Sequence, residues 1–138
     1  MPDFLYGQEH VDRYRETYGE EGHQWRKGSL VALLTTTGRK SGEKRTTPLI
    51  YGRRGDDVLV IASQGGAPEH PAWYLNIQED PEVEVQIKDD VFKAKARDAT
   101  ADERPELWQT MAGYWPDYDD YQAKTDREIP VVVLERVS

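Results

Sequence analysis

The chain has no cysteine among its 138 residues, so it forms no disulfide, offers no thiolate nucleophile and builds no cysteine metal site. Histidine is scarce too. His10, His23 and His70 stand far apart, and none has a second histidine at H-x-H or H-x-x-x-H spacing, which argues against a metal site. No G-x-S-x-G elbow, G-x-x-x-x-G-K-[ST] phosphate loop or G-x-G-x-x-G dinucleotide motif is present. No apolar run approaches the ~20 residues needed to cross a bilayer, and the N-terminus lacks the apolar stretch of a signal peptide. Positive charge is in short supply: 18 basic residues face 26 acidic ones, for a formal −8. That balance excludes general nucleic-acid affinity, which needs phosphate neutralisation. The lack of cysteine fits a reducing cytoplasm. An enzyme with this inventory would take its reactivity from a bound cofactor.

What is present reads as a small globular domain, 37% hydrophobic and 32% charged. The first stretch, residues 1–25, is expected as an N-terminal helical segment, in part disordered. Val11, Tyr14 and Tyr18 recur at helical spacing there, and Gly19 offers a stop. Residues 26–138 read as one domain. "LVALLTT", "TTPLIYG" and "DVLVIAS" are apolar runs of strand length. "EVEVQIK" and "VFKAKAR" alternate, with Val83, Val85 and Ile87, then Phe92, Ala94 and Ala96, on one side. "IPVVVLE" completes a set of about six strands. Helices are expected at residues 70–77, with Pro71 in the first turn, and again after Thr100. There Thr100 and Glu103 form a capping-box pattern, with Asp102 as an alternative N-cap. The resulting class is α+β, an antiparallel sheet with two or three flanking helices, open or closed into a small barrel.

Three segments carry possible chemistry. In "TTTGRKSGEKR", Arg39, Lys40, Lys44 and Arg45 meet a single acid, Glu43, between two glycines. This is either a solvated hairpin tip or an anion clamp, with Arg39 able to grip a phosphate or carboxylate bidentately and Ser41 adding a donor. "ASQGGAPEHP" places Gly65 and Gly66 between a strand and a helix start, which suits a second anion. Tyr114, Trp115, Tyr118 and Tyr121 put four aromatics into eight residues. They form either an apolar cluster under a loop or a flat pocket wall for a planar ring.

Together "LLTTTGRKSG", "ASQGGAPEHPAWYLNI", "DPEVEVQIK", "ARDAT" and "YWPDYDDYQAKTDREIPVVVLE" resemble the deazaflavin-dependent nitroreductase family of the actinobacterial flavin/deazaflavin oxidoreductases. The likeness runs from about Val31 to Glu135, in order. It implies a small antiparallel split β-barrel that binds coenzyme F420, an 8-hydroxy-5-deazaflavin with a phosphate and a polyglutamate tail. It further implies hydride transfer to a quinone, nitroaromatic or enone. FMN is the alternative cofactor, and a non-catalytic F420 binder the alternative role. By the motif, Arg39, Lys40, Ser41 and Arg45 would hold the tail and phosphate. Thr46, Thr47, Pro48, Leu49 and Ile50 would continue along the coenzyme. Ile61, Ala62, Ser63 and Gln64 would meet the ring, with Ala72, Trp73, Tyr74, Leu75 and Asn76 along its other side. Tyr118 and Tyr121 would sit over the ring, and Tyr121, Tyr118 or Ser63 would give a proton or hydrogen bond to the acceptor. Ile50, Gln64 and Trp115 depart from the tyrosine, lysine and tyrosine common in that family, which alters the pocket's shape and donors. A cytoplasmic location is expected, with peripheral contact at the inner membrane face through the N-terminal helix as an open possibility.

Overall fold

The computed structural model describes residues 7–24 and 29–137. The expected boundary at 25/26 and the disordered start fall outside the described residues. Helix α1 spans Gly7–Thr17 and β1 spans Val31–Thr37, followed by β2 (Lys44–Ile50), β3 (Gly52–Arg54) and β4 (Asp57–Ile61). Helix α2 covers Ala72–Glu79 and leads into the hairpin of β5 (Glu82–Ile87) and β6 (Asp90–Asp98). Helices α3 (Arg104–Tyr114) and α4 (Asp117–Ala123) precede β7 (Val131–Arg136).

All pairings are antiparallel, in the order β2-β1-β5-β6-β7-β4-β3. The two edge strands β2 and β3 are separated in sequence by Tyr51 alone. A flat sheet would set them a full sheet-width apart, so chain continuity obliges the sheet to curl. Tyr51 N–H donates to Leu30 O (3.0 Å) at this corner. Seven strands therefore form where about six were expected. The extra one, β3, carries exposed Arg53 and Arg54 and has no alternating apolar residue to reveal it.

The burial pattern explains which strands alternate. Strands β5 and β6 turn Val83, Val85, Ile87, Phe92, Ala94 and Ala96 into the barrel and leave their other side charged. Strand β1 is covered on both sides, because Ala32 and Leu34 face the barrel while Leu33 packs with Val11 and Tyr14 of α1. Strands β4 and β7 are likewise sandwiched. Val58, Val60, Val132 and Leu134 face the barrel, and Leu59, Ile61, Val131 and Val133 join Leu107 and Met111 of α3.

Helix α1 is shorter than its spacing predicts. Tyr18 leaves the helical face, takes φ +53° and is 67% exposed. Gly19 N–H instead closes onto Tyr14 O (2.8 Å), with φ +83° and its α-carbon pressed against Lys88, where a Cβ would lie 2.5 Å from the Lys88 Cα. Tyr14 anchors the helix: its hydroxyl accepts from Lys88 N–H (2.8 Å) and donates to Gln86 O (3.3 Å). Burial pushes this phenol up to about 12. Because Val11 and Tyr14 face inward, the outward side of α1 is polar. At α3 the capping-box bonds form as expected, Thr100 N–H to Glu103 Oε1 (2.8 Å) and Glu103 N–H to Thr100 Oγ1 (3.2 Å). The helix itself begins at Arg104, with Pro105 inside its first turn.

Candidate active site

The basic segment forms the tip between β1 and β2. Gly38 N–H donates to Glu43 O and Gly42 N–H to Gly38 O, both at 2.8 Å, and Gly42 takes φ +72°. Ser41 Oγ accepts from Glu43 N–H (3.1 Å), so this hydroxyl already serves the turn. The tip leans on α2. Asn76 is 4% exposed, and its Oδ1 accepts from both the Arg39 backbone N–H (3.2 Å) and Arg39 Nη1 (2.9 Å). Its Nδ2 donates to the buried Thr36 Oγ1 (3.2 Å). Arg39 Nη1 also reaches Ala72 O (3.5 Å). Every polar atom of the Asn76 amide is thus committed to aiming Arg39. Lys44 Nζ rests on Thr37 Oγ1 (2.8 Å), while Arg45 meets Glu43 (3.5 Å) in an exposed pair that contributes little.

A cleft of about 530 Å³ opens between tip and helix. Gly38, Arg39, Lys40, Ser41, Lys44 and Arg45 line one side, Thr46 and Thr47 continue it, and Ala72, Trp73 and Asn76 of α2 form the other, with Gln8 of α1 at the rim. Nine of the residues expected at the cofactor therefore share one cavity: Arg39, Lys40, Ser41, Arg45, Thr46, Thr47, Ala72, Trp73 and Asn76. Four cations against Glu43 make it a positive site in an acidic molecule.

The other expected residues lie outside this lining. Pro48, Leu49 and Ile50 carry β2 away from the tip, half-buried. Tyr74 and Leu75 belong to other faces of α2, where Tyr74 OH donates to Asp98 Oδ1 (2.9 Å). Ile61, Ala62 and Ser63 are buried at the end of β4, and Gln64 is exposed with φ +46°. Tyr118 is 4% exposed, in one cluster with Leu59, Leu107, Met111 and Trp115, and burial holds its phenol far above the ordinary range. Tyr121 is half-buried, and its hydroxyl accepts from Trp115 Nε1 (3.2 Å). The glycine turn does not lead directly into a helix N-terminus. Gly66, at φ +85°, packs so tightly on α4 that a Cβ would sit 2.8 Å from Tyr121 O, and α2 starts only at Ala72.

One polar residue escaped the sequence reading. Arg127 donates to Ser63 O (2.7 Å), Ala67 O (2.9 Å), Ala62 O (3.2 Å) and His70 Nδ1 (3.1 Å). The last contact fixes His70 as neutral with its proton on Nε2. Its only signal in the sequence was a lone base between Asp126 and Glu128.

All three histidines are engaged in the fold. His10 Nε2 pairs with Gly22 O (2.9 Å) and His23 Nε2 with the Tyr51 hydroxyl (2.8 Å). Burial first, then Lys88 and Arg53, hold His23 below its ordinary 6.5; burial, then Arg127, does the same for His70. The unfolded chain therefore takes up protons near 6.5 that the folded chain refuses until lower pH. Stability from these groups is complete above 6.5 and declines as pH falls below it. Melting curves should show a lower Tm at about pH 5.5 than at about pH 7.5, and His23→Gln with His70→Gln should shrink that difference. Glu103, held at about 2 chiefly by hydrogen bonding to Arg97, adds its own loss only as pH falls below 4.5.

A family model described as F420H(2)-dependent quinone reductase matches residues 6–136. The chain belongs to the F420H(2)-dependent quinone reductase family. An F420H(2)-dependent quinone reductase of Mycobacterium tuberculosis is 40% identical over 126 residues, covering 89% of this chain and 85% of the relative. A solved F420-H2-dependent reductase, FDR-A, is 42% identical with a TM-score of 0.71, over 76% of this chain and 93% of its own. A solved domain-swapped dimer is 39% identical with a TM-score of 0.75, over 93% and 96% of the two chains. This reductase is accordingly an oxidoreductase of the split-barrel fold, and its cofactor is coenzyme F420. The fold, the enzyme class and the cofactor expected from the sequence all hold; the family is F420-dependent, and FMN remains only the alternative.

Proposed function

We propose that this reductase holds the acidic tail of F420 between the β1–β2 tip and α2, and directs a hydride from the reduced coenzyme to a quinone. The observation that carries this reading is the Arg39 guanidinium, fixed over a positive cleft by the buried Asn76 amide. The site fits the coenzyme on its own chemistry: clustered cations suit phosphate and glutamate carboxylates, and the cleft's polar walls suit an extended, hydrated chain. Arg39, Lys40 and Arg45 bind the anionic groups, with Ser41, Thr46 and Thr47 as hydroxyl neighbours. Pro48, Leu49 and Ile50, the loop Ile61–Gln64, and Ala72–Asn76 of α2 carry the binding surface on toward the ring. Reduced F420, when bound, supplies the hydride.

The protein's part is then to orient donor and acceptor and to keep water out. Tyr121 is suited to give a hydrogen bond to the acceptor, because its oxygen accepts from Trp115 while its own O–H is left to donate. Tyr118, whose ring centroid lies 6.1 Å from that of Tyr121, and Ser63 are the alternative donors for the same role, and nitroaromatics and enones extend the acceptor range. The protein is proposed to work in the cytoplasm; peripheral membrane contact through α1 would rest on its charges, since its apolar residues face inward. Adding oxidised F420 while following tryptophan fluorescence tests the site, because Trp73 lines the cleft. Saturable quenching is the expected result; an unchanged signal at saturating coenzyme would remove the proposal.

A further inference from the structure

The cleft beside the basic tip is rich in donors and poor in acceptors. Arg39, Lys40, Lys44 and Arg45 can only donate. Ser41 Oγ already accepts from Glu43 N–H. Thr46 Oγ1 accepts from Arg15 Nη2 (2.9 Å) and shares a further hydrogen bond with Thr35 Oγ1 (2.7 Å). The Thr47 hydroxyl, set among anionic groups of a ligand, turns to donate. Two side-chain carbonyls complete the lining. Asn76 Oδ1 is taken by Arg39. The other is Gln8 Oε1, at the rim.

Hydrogen bonding settles which end of the Gln8 carboxamide is which. Its Nε2 donates to Asp12 Oδ1 (2.9 Å), one turn along α1, and a carboxylate can only accept. Gln8 Oε1 is left over, and no donor among the described residues reaches it. The helix that carries it is held in place. Val11 and Tyr14 pack on Leu33, and the Tyr14 hydroxyl joins Lys88 N–H to Gln86 O. Arg15 then pins α1 to Thr46 of β2, itself a lining residue. Gln8 precedes Arg15 by two helical turns, about 10 Å, on the same side of the helix. One face of α1 is thus both fastened to the cleft wall and open to its contents.

We propose that Gln8 is a specificity-determining residue for the coenzyme's tail. Its Oε1 accepts an amide N–H from a link between successive glutamates, and Asp12 is the positioning residue that turns the carboxamide to do so. A polyglutamate tail makes two kinds of demand. Its carboxylates need cations, and its amide N–H groups need an acceptor, which no cation can be. The tip meets the first demand and α1 the second. The ligand class is an acidic chain joined by amide bonds, as distinct from a bare phosphate or a lone carboxylate. This inference rests on the proposed seating of the tail between the β1–β2 tip and α2.

The test uses two probes: F420 with its glutamates, and the same coenzyme truncated so that it keeps the phosphate but carries no glutamate. Gln8→Ala should weaken the full-tailed form at least about threefold and leave the truncated form unchanged. Asp12→Ala should cause a smaller loss of the same kind, and that loss should vanish in the Gln8→Ala background. Both positions are exposed on a helix, where alanine is well tolerated. Unchanged affinity of Gln8→Ala for the full-tailed form overturns the inference. So does an equal loss for both probes, which would place Gln8 at the phosphate. A loss from Asp12→Ala that persists without Gln8 removes the positioning role. Arg39→Ala with Lys40→Ala separates this inference from the reading beneath it. If that variant also binds as the wild type does, the seating of the tail falls and the inference with it. If it binds weakly while Gln8→Ala does not, the inference alone falls.

Discussion

Replacing Arg39 and Lys40 together by alanine is expected to weaken F420 binding by about thirty-fold or more, equivalent to ~2 kcal/mol from two charge-assisted contacts. The effect should be large because Arg39 does not wander. Asn76 Oδ1 takes both its backbone N–H and its Nη1, so little side-chain entropy remains to be lost when an anion arrives. Lys40 adds an exposed point charge at the same rim. Titration at rising salt checks the origin of the loss: the difference between wild type and variant should narrow as the anionic tail is screened. A variant with unchanged affinity would return the tip to a solvated hairpin.

Asn76→Ala carries the second large effect, and it acts on stability and binding at once. The substitution leaves the buried Thr36 hydroxyl without its donor and Arg39 without its anchor. The expected cost is ~2–3 kcal/mol of folding stability, because buried polar groups lose partners rather than exchanging them for water. F420 affinity should fall about tenfold, through Arg39 rather than through Asn76 itself. A double-mutant cycle separates these routes. If Asn76 acts by aiming Arg39, its effect on affinity should largely vanish in the Arg39→Ala background. An undiminished effect there would mean that Asn76 touches the coenzyme.

Those two residues also show how far the sequence could be read. The basic tip was visible as composition, because Arg39, Lys40, Lys44 and Arg45 stand out in an acidic chain. Asn76 was legible as a member of the site but not in its role, since its partners Thr36 and Arg39 lie about forty positions away in sequence. Arg127 was not legible at all. Apart from His70, its guanidinium partners are main-chain carbonyls, which carry no side-chain signature, and all lie some sixty residues upstream. The strands followed the same logic. The one-sided β5 and β6 announced themselves by alternation, and β1, β4 and β7 by continuous apolar runs that two neighbouring layers bury. The short β3 offered neither sign, because its side chains are arginines in water and its pairing is set by the turn at Gly55 (φ +62°). Tyr18 misled in the opposite way: its spacing matched the buried face of α1, but the contact of Gly19 with Lys88 ends the helix first.

The most direct measurement mixes the protein anaerobically with reduced F420 and menadione and follows the reappearance of the oxidised coenzyme's absorbance. Rapid reoxidation that depends on the protein and slows in the Arg39→Ala, Lys40→Ala variant is the expected result. A coenzyme that binds tightly yet stays reduced in the presence of menadione and other quinones would contradict it, and would make the cleft a carrier site rather than the seat of a reductase.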